Sequence, residues 1–356
     1  MSGGRRERAV DALRATGADV LLAADPATVG WLTGYVADIE TGPSPFAIGP
    51  FALLQHDGSV VLVASEDAGE ALPGVSAVWF AGYGLGPLDP LDAARDALAP
   101  LLAGRRVAVE AHAVPAGLLE DADWVDAGAP LRTARAIKDP DELDALRAAI
   151  ALCDAGQRAV RDALAPGVTE LELWTAARAA MELAAGGRLA VLADLVSGPR
   201  TAEIGGPPTE RAVAEGDLVL CDLVPRHRGV WGDSCATLAV GPPPAEAVVA
   251  HRRCVEALDA AIERLRPGVR AGAIDATVRD RLGAELPHHV GHGLGWAYHE
   301  HPRIVPGATD VLEEGMVVAI EPGRYAAGCG VRVERVAAIT ADGCEVLSGH
   351  DLSLTA

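Results

Sequence analysis

The chain has 356 residues, 50% of them hydrophobic, with 50 acidic against 30 basic side chains and a formal net charge of −20. That length is enough for two domains with sizeable cores. The acidic balance excludes nucleic acid and anionic membrane surfaces as natural partners, and no apolar run reaches membrane-spanning length.

Residues 5–16 have the spacing of an amphipathic helix, with Ala9 and Leu13 on one face. Residues 18–22 read as a short buried strand. Strands over 51–54 and 59–64 are joined at Gln55-His56-Asp57-Gly58, a hairpin turn. A helix over 91–102 and a strand over 106–109 follow. This alternation predicts an α/β layer with a mixed sheet over residues 1–134, a linker near 130–140 and a second domain over 135–356. The second domain opens with a helix over about 141–164, which Pro166-Gly167 stops. Thr169, with Glu172 three residues on, has capping-box spacing and starts the next helix. Two further helices fit 244–265 and 270–283, with acid-bearing strands on either side. No internal repeat is visible.

Those acids carry the chemistry. Gly216-Asp217-Leu218-Val219-Leu220-Cys221-Asp222 reads as a buried strand, and a second strand is expected from 230 to 240 through Asp233. The turn composition of Pro225-Arg226-His227-Arg228-Gly229 lies between them. Symmetric pairing about that turn sets Asp222 opposite Asp233, unless a bulge shifts the register. Strands over 316–321 and 331–334 set Glu321 opposite Glu334 about a turn at Ala327-Gly328. Arg332 then shares a face with Glu334, while Val331 and Val333 take the other face. His292 sits in Gly291-His292-Gly293-Leu294-Gly295, where alternate glycines argue for backbone in close approach. Each feature alone has an ordinary explanation: chance acids, a core histidine, a solvated hairpin face. Together they put four carboxylates on apolar strands, which is prohibitive without compensation. Two divalent ions neutralise them, and this donor set suits Mn, Co, Fe or Zn better than a soft metal. Cys221 and Cys235 read as packed core thiols.

These residues resemble the pita-bread metallohydrolases: aminopeptidase P, prolidase, methionine aminopeptidase and creatinase. The matching segments are the Asp222 strand, Gly232-Asp233, the His292 segment, His299-Glu300-His301-Pro302, Glu321-Pro322-Gly323 and Arg332-Val333-Glu334. Residues 136–143 are similar to the entry of the catalytic domain, and Pro166-Gly167-Val168-Thr169-Glu170 to the junction after its first helix. Residues 28–35 resemble a creatinase-type N-terminal domain. The resemblance implies a creatinase-like α/β domain followed by a pita-bread domain. It implies two divalent metal ions (Mn, Co or Zn, with Mn favoured) on Asp222, Asp233, His292, Glu321 and Glu334. The implied chemistry is attack by a water that bridges the ions and is deprotonated near neutral pH. Glu321 accepts and returns the proton, His299 stabilises the tetrahedral intermediate and His288 lines the substrate pocket. Arg332 either orients Glu334 or forms a structural ion pair. The implied activity is that of an Xaa-Pro aminopeptidase or dipeptidase, acting as a homodimer on small peptides.

One position departs from the pattern. Relatives carry a substrate-binding or proton-shuttling histidine where this chain has Gly205, and no histidine lies between His112 and His227. This leaves open a creatinase-like hydrolase of a small non-peptide amide or amidine, and a non-catalytic binding module of the same fold. Six cysteines without a C-x-x-C pair, and an N-terminus without an apolar signal core, predict a reduced, cytoplasmic protein. Lys138, the single lysine, reads as coding bias. His289 and His301 are expected to carry no chemistry, and Glu300 and His301 read as a surface pair.

Overall fold

The computed structural model describes residues 3–36, 48–65, 74–82, 89–120, 122–326 and 328–355. The chain divides into two units, Met1–Arg135 and Ala136–Ala356. In the first, α1 (Gly3–Thr16) leads into β1 (Val20–Ala23), and α2 (Pro26–Thr33) follows at once. The sequence reading omitted α2 as a helix, yet its signals are local. The Asp25 side chain accepts from Ala27 and Thr28 N–H, Pro26 starts the helix and Gly34 ends it at φ 75°. The unit continues with β2 (Phe51–Gln55), β3 (Val60–Ser65), β4 (Ser76–Phe80), α3 (Pro90–Leu102), β5 (Val107–Val109), β6 (Trp124–Asp126) and α4 (Gly128–Ala136). Its sheet runs β4-β3-β2-β1-β5-β6 and is mixed, antiparallel about β2 and parallel elsewhere.

The two units meet at Arg135–Ala136, within the stretch read as a linker, and helix α4 occupies much of that stretch. Leu131 and Ala134 are buried, and the buried Arg135 guanidinium lies 3.5 Å from buried Glu110. Apolar residues at helical spacing, with one charge paired inside, hold as a helix what composition alone reads as a connector.

The second unit begins with α5 (Pro140–Ala163) and α6 (Glu170–Ala185). Thr169 and Glu172 form the expected capping box. Next come β7 (Ala190–Ser197), β8 (Leu218–His227), β9 (Val230–Trp231) and β10 (Cys235–Ala239). Helices α7 (Ala245–Ile262) and α8 (Ala271–Leu282) separate these from β11 (Gly291–Gly293), β12 (Glu300–Ile304), β13 (Val317–Ile320), β14 (Gly323–Ala326), β15 (Cys329–Arg332), β16 (Arg335–Ile339) and β17 (Cys344–Val346). One sheet runs β10-β8-β7, with β9 paired to β8. A second runs β12-β11-β13-β16-β17, and β14-β15 is a separate hairpin. Both sheets bury one face under helices. Leu173, Ala177 and Met181 of α6 pack with Leu195, Val219, Cys221 and Leu223. Cys254, Leu258, Ile274 and Val278 of α7 and α8 pack with Val318, Ile320, Val331 and Val333. Each such aliphatic side chain contributes roughly 1.5–3 kcal/mol by leaving water. The helix-covered faces are apolar, so the acids gather on the opposite side.

The first acid-bearing hairpin differs from the sequence reading. Strand β8 runs on through Pro225, Arg226 and His227, and the turn is only Arg228-Gly229, with φ of 51° and 88°. Two positive φ values make the tight turn whose twist suits a hairpin. Asp222 therefore pairs with Cys235, and Asp233 sits in the break between β9 and β10, one pleat diagonal to Asp222. The second hairpin keeps the expected register. Ile320 pairs with Arg335 and Gly323 with Arg332, so Glu321 and Glu334 lie opposite each other where two ladders meet. Ala327 of its turn is outside the described residues.

Candidate metal centre

Asp222, Asp233, His292, Glu321 and Glu334 are all buried and come together from five segments. Ligand-capable oxygens of Asp222, Asp233 and Glu334 lie within 4.8 Å of one another. His292 Nε2 reaches the same group, 3.6 Å from Asp233 Oδ2 and 3.5 Å from Glu321 Oε1. Its ring is fixed from behind, because Nδ1 lies 2.9 Å from the carbonyl of Gly293. The proton belongs on Nδ1, which leaves the Nε2 lone pair facing the carboxylates. The glycines beside it are required by close approach. A Cβ at Gly291 would lie 2.1 Å from Ala319 O, and one at Gly293 would lie 2.2 Å from His301 O.

The electrostatics are those of an unneutralised cluster. Asp222 Oδ1 and Glu334 Oε1 are buried without a hydrogen-bond partner. Burial, then the neighbouring carboxylates, pushes Asp233 and Glu334 well above the ordinary carboxyl range. Burial lifts Asp222 to about 6, with the Arg332 guanidinium pulling the other way. Burial acts to raise Glu321 too, but His289, His292 and Arg332 hold it well below its usual value. Two oxygens without donors, and one imidazole nitrogen facing the neighbouring Asp233 and Glu321 carboxylates, fit hard divalent cations.

Arg332 does not orient Glu334. Its Nη2 donates to Asp222 Oδ2 at 2.6 Å, Nη1 to Ile204 O at 2.7 Å, and Nε to Cys235 Sγ at 3.3 Å. Glu321 Oε2 lies 3.9 Å from its Nε. The reason is the Asp222–Cys235 register, which brings β8 rather than Glu334 up to the guanidinium.

His299 lines a cavity of about 280 Å³ with Leu192, Asp194, Asp222, Val224, Asp233, His292, Tyr298 and Glu321. Its ring stacks on His292 with centroids 3.8 Å apart. Burial, then His292 and His289, lowers its pKa to about 3, so the ring is neutral at physiological pH. His288 is not among the lining residues. Its Nε2 lies 2.9 Å from Tyr325 Oη and its Nδ1 2.7 Å from His289 O, which turns the ring toward Tyr325. Sequence reasoning missed His289, whose Nδ1 is 3.2 Å from Glu321 Oε1 and whose ring meets those of both His292 and His299. It precedes β11, where alternation offers no rule for its direction.

Two readings of charge are also corrected. Lys138 and Glu300 are both buried and pair at 2.8 Å, so the single lysine is structural and Glu300 is not on the surface. Gly295 yields to this pair, since a Cβ there would lie 2.7 Å from Glu300 Oε2. The pair sits beside His299 and anchors its segment. A larger cavity of about 660 Å³ in the first unit lies among Asp19, Arg95, Arg106 and Asp123, and no metal-suited group is found there among the described residues.

Comparison with known proteins agrees with this geometry. Residues 144–341 match the model of metallopeptidase family M24, and residues 5–137 match the creatinase/prolidase N-terminal domain. The probable dipeptidase PepE of Mycobacterium tuberculosis is 38% identical over 221 residues, 60% of this chain and 58% of that protein. The Xaa-Pro dipeptidase of Lactobacillus helveticus is 35% identical over 227 residues, 62% of each chain. The chain thus spans about three fifths of the length of these curated relatives. Among solved structures, the prolidase of Pyrococcus horikoshii superposes with a TM-score of 0.84 at 24% identity, over 98% of this chain and 99% of that one. Dipeptidase PepE of Mycobacterium ulcerans gives 0.80 at 27% identity, over 99% and 96%. These likenesses show the expected architecture, a creatinase-like domain followed by a pita-bread domain. With the family model matched over more than half of its length, the chain belongs to metallopeptidase family M24, an enzyme family that implies divalent metal ions.

Proposed function

We propose that this chain is a metal-dependent Xaa-Pro dipeptidase whose two divalent ions are held by Asp222, Asp233, His292, Glu321 and Glu334. The observation that carries it is the pair of buried acceptors without donors, Asp222 Oδ1 and Glu334 Oε1, in a cluster whose Asp233 also lies 3.6 Å from His292 Nε2. The similarity to proteins named dipeptidase supports a two-residue substrate. A cavity of about 280 Å³ suits a ligand of that size. The all-oxygen and imidazole donor set favours manganese. Six free cysteines support a reducing, cytoplasmic setting, and the resemblance to two-domain relatives supports a homodimer.

When bound, the ions supply a water acidic enough to attack near neutral pH and polarise the scissile carbonyl. The chain's own groups do the rest. Glu321 is kept ionised by His289, His292 and Arg332, so it can accept the water's proton and return it to the leaving nitrogen. Neutral His299, at the cavity wall, donates a hydrogen bond to the developing oxyanion. Arg332 holds Asp222, and Lys138–Glu300 holds the His299 segment.

The test is turnover of Leu-Pro, Ala-Pro and longer Xaa-Pro peptides by apo protein reloaded with Mn, Co or Zn separately. Proline release from dipeptides with Mn is expected. No proline release with any of the three metals would overturn the reading.

A further inference from the structure

Asp194 lies in the middle of β7, a strand otherwise made of apolar residues and a terminal serine. Its register partner on β8 is Asp222. Two carboxylates directly opposite on an antiparallel pair repel, so something positive must face them. Arg332 answers for Asp222 at 2.6 Å, but it stands 3.6 Å from Asp194 Oδ2, beyond hydrogen-bond length. Its guanidinium is already committed to Asp222, Ile204 O and Cys235. No described residue donates a hydrogen bond to the Asp194 carboxylate, which is 41% exposed and lines the cavity.

The adjoining chain is shaped around this group. A Cβ at Gly205 would lie 2.0 Å from Asp194 Oδ2, so position 205 tolerates no side chain while Asp194 stays where it is. The residue before it, Ile204, is held at φ 73°, a conformation that β-branched residues avoid. Its carbonyl accepts from Arg332, which keeps that strained segment in place. The same cavity offers an apolar wall of Leu192, Val224 and Tyr298. A half-exposed carboxylate without a donor of its own, set against an apolar wall, suits a cation carried on an apolar body.

The geometry points to Asp194 as a specificity-determining residue that receives a positively charged substrate group, an ammonium or a guanidinium, with Gly205 making the room. This rests on the dipeptidase reading and deepens it. At Gly205 the space a side chain would fill belongs to the Asp194 carboxylate of β7.

The test needs no turnover. The full Mn-loaded chain is titrated calorimetrically with arginine against citrulline, which reads a side-chain guanidinium. It is also titrated with leucine against N-acetylleucine, which reads the α-ammonium. In at least one pair the cation is expected to bind ~10-fold tighter, the effect of one charge-assisted hydrogen bond, and Asp194→Asn is expected to erase that ratio. Gly205→Ala is expected to displace the carboxylate, lowering the same ratio and the Tm, with no Tm penalty in an Asp194→Ala background. Unchanged ratios in Asp194→Asn, or ratios near one in the native chain, overturn the inference. Xaa-Pro hydrolysis is followed in parallel. Turnover with unchanged ratios sinks the role of Asp194 alone, and ratios lost in Asp194→Asn without any turnover sink the peptidase reading alone.

Discussion

Glu170 and Glu334 are both buried carboxylates of the same unit, and the fold treats them in opposite ways. Glu170 accepts from Ser197 N–H at 2.8 Å, Ser197 Oγ at 2.7 Å, Thr209 N–H at 2.9 Å and Thr209 Oγ at 2.6 Å, and it also pairs with Arg200. Burial pushes it up, but those donors outweigh burial and hold it below the ordinary carboxyl range. Glu334 Oε1 has no partner, and burial followed by Asp233, Asp222 and Glu321 pushes its carboxyl well up. This chain can therefore surround a buried acid with donors. Leaving the acids of the centre bare is a property of that place, and it reserves their oxygens for something else.

Removing acids from each region tests the contrast. In the bare region, Glu334→Gln or Asp233→Asn is expected to cut turnover by on the order of 10³-fold or more. Metal analysis should show fewer than two ions per chain. The metal-free variants should melt higher than the metal-free native chain, because a repulsive charge is gone. A lower melting temperature for the metal-free variants would mean that the acids are satisfied by protein alone.

In the donor-rich region, Glu170→Gln is expected to cost about 3 kcal/mol in denaturant unfolding, with the metal count unchanged. The pH dependence has a definite sign. The folded-state pKa of Glu170 is depressed, so its stabilisation is present above the unfolded carboxyl value and is lost as pH falls through the folded one. The difference in stability between native and Glu170→Gln chains should shrink on acidification, and a difference that grows would contradict the assignment.

Arg332 stands between the two regimes as the cation that does reach the bare acids. Arg332→Lys keeps the charge but loses the fork that holds Asp222, Ile204 O and Cys235 together. Metal affinity is expected to fall ~10–100-fold, read by competition with a chelating dye. The smallest effect belongs to His288→Asn. It removes one hydrogen bond to Tyr325 outside the cavity, so kcat/KM should fall less than ~10-fold.

The two acid-bearing hairpins also differ in how far the sequence disclosed them. Glu321 and Glu334 flank a symmetric small-residue turn, and simple midpoint pairing placed them opposite each other, as the ladders do. Asp222 and Asp233 flank a turn whose centre is Arg228-Gly229. Arg228 adopts φ 51° without being glycine, asparagine or aspartate, so nothing in its identity announces a two-residue turn. The strand ran three residues into the expected turn, through Pro225, Arg226 and His227, and the pair became diagonal. Lys138 and Glu300 are 162 positions apart, and their ion pair is set by tertiary packing rather than by any local pattern. Asp194 left a faint signal, a single acid within an apolar run. The strand that carries it went unread, so its place opposite Asp222 could not be seen. The five side chains that gather were legible because metal chemistry restricts the residue types and spacing of a candidate ligand set. Second-layer partners were not, because many packings satisfy the same burial.

The most direct test of the account is anomalous diffraction from crystals grown with excess manganese, recorded on both sides of the metal edge. Two peaks are predicted, bracketed by Asp222, Asp233, His292, Glu321 and Glu334, with His292 bound through Nε2. Ordinary solvent density among those five side chains, with no anomalous peak, would contradict it.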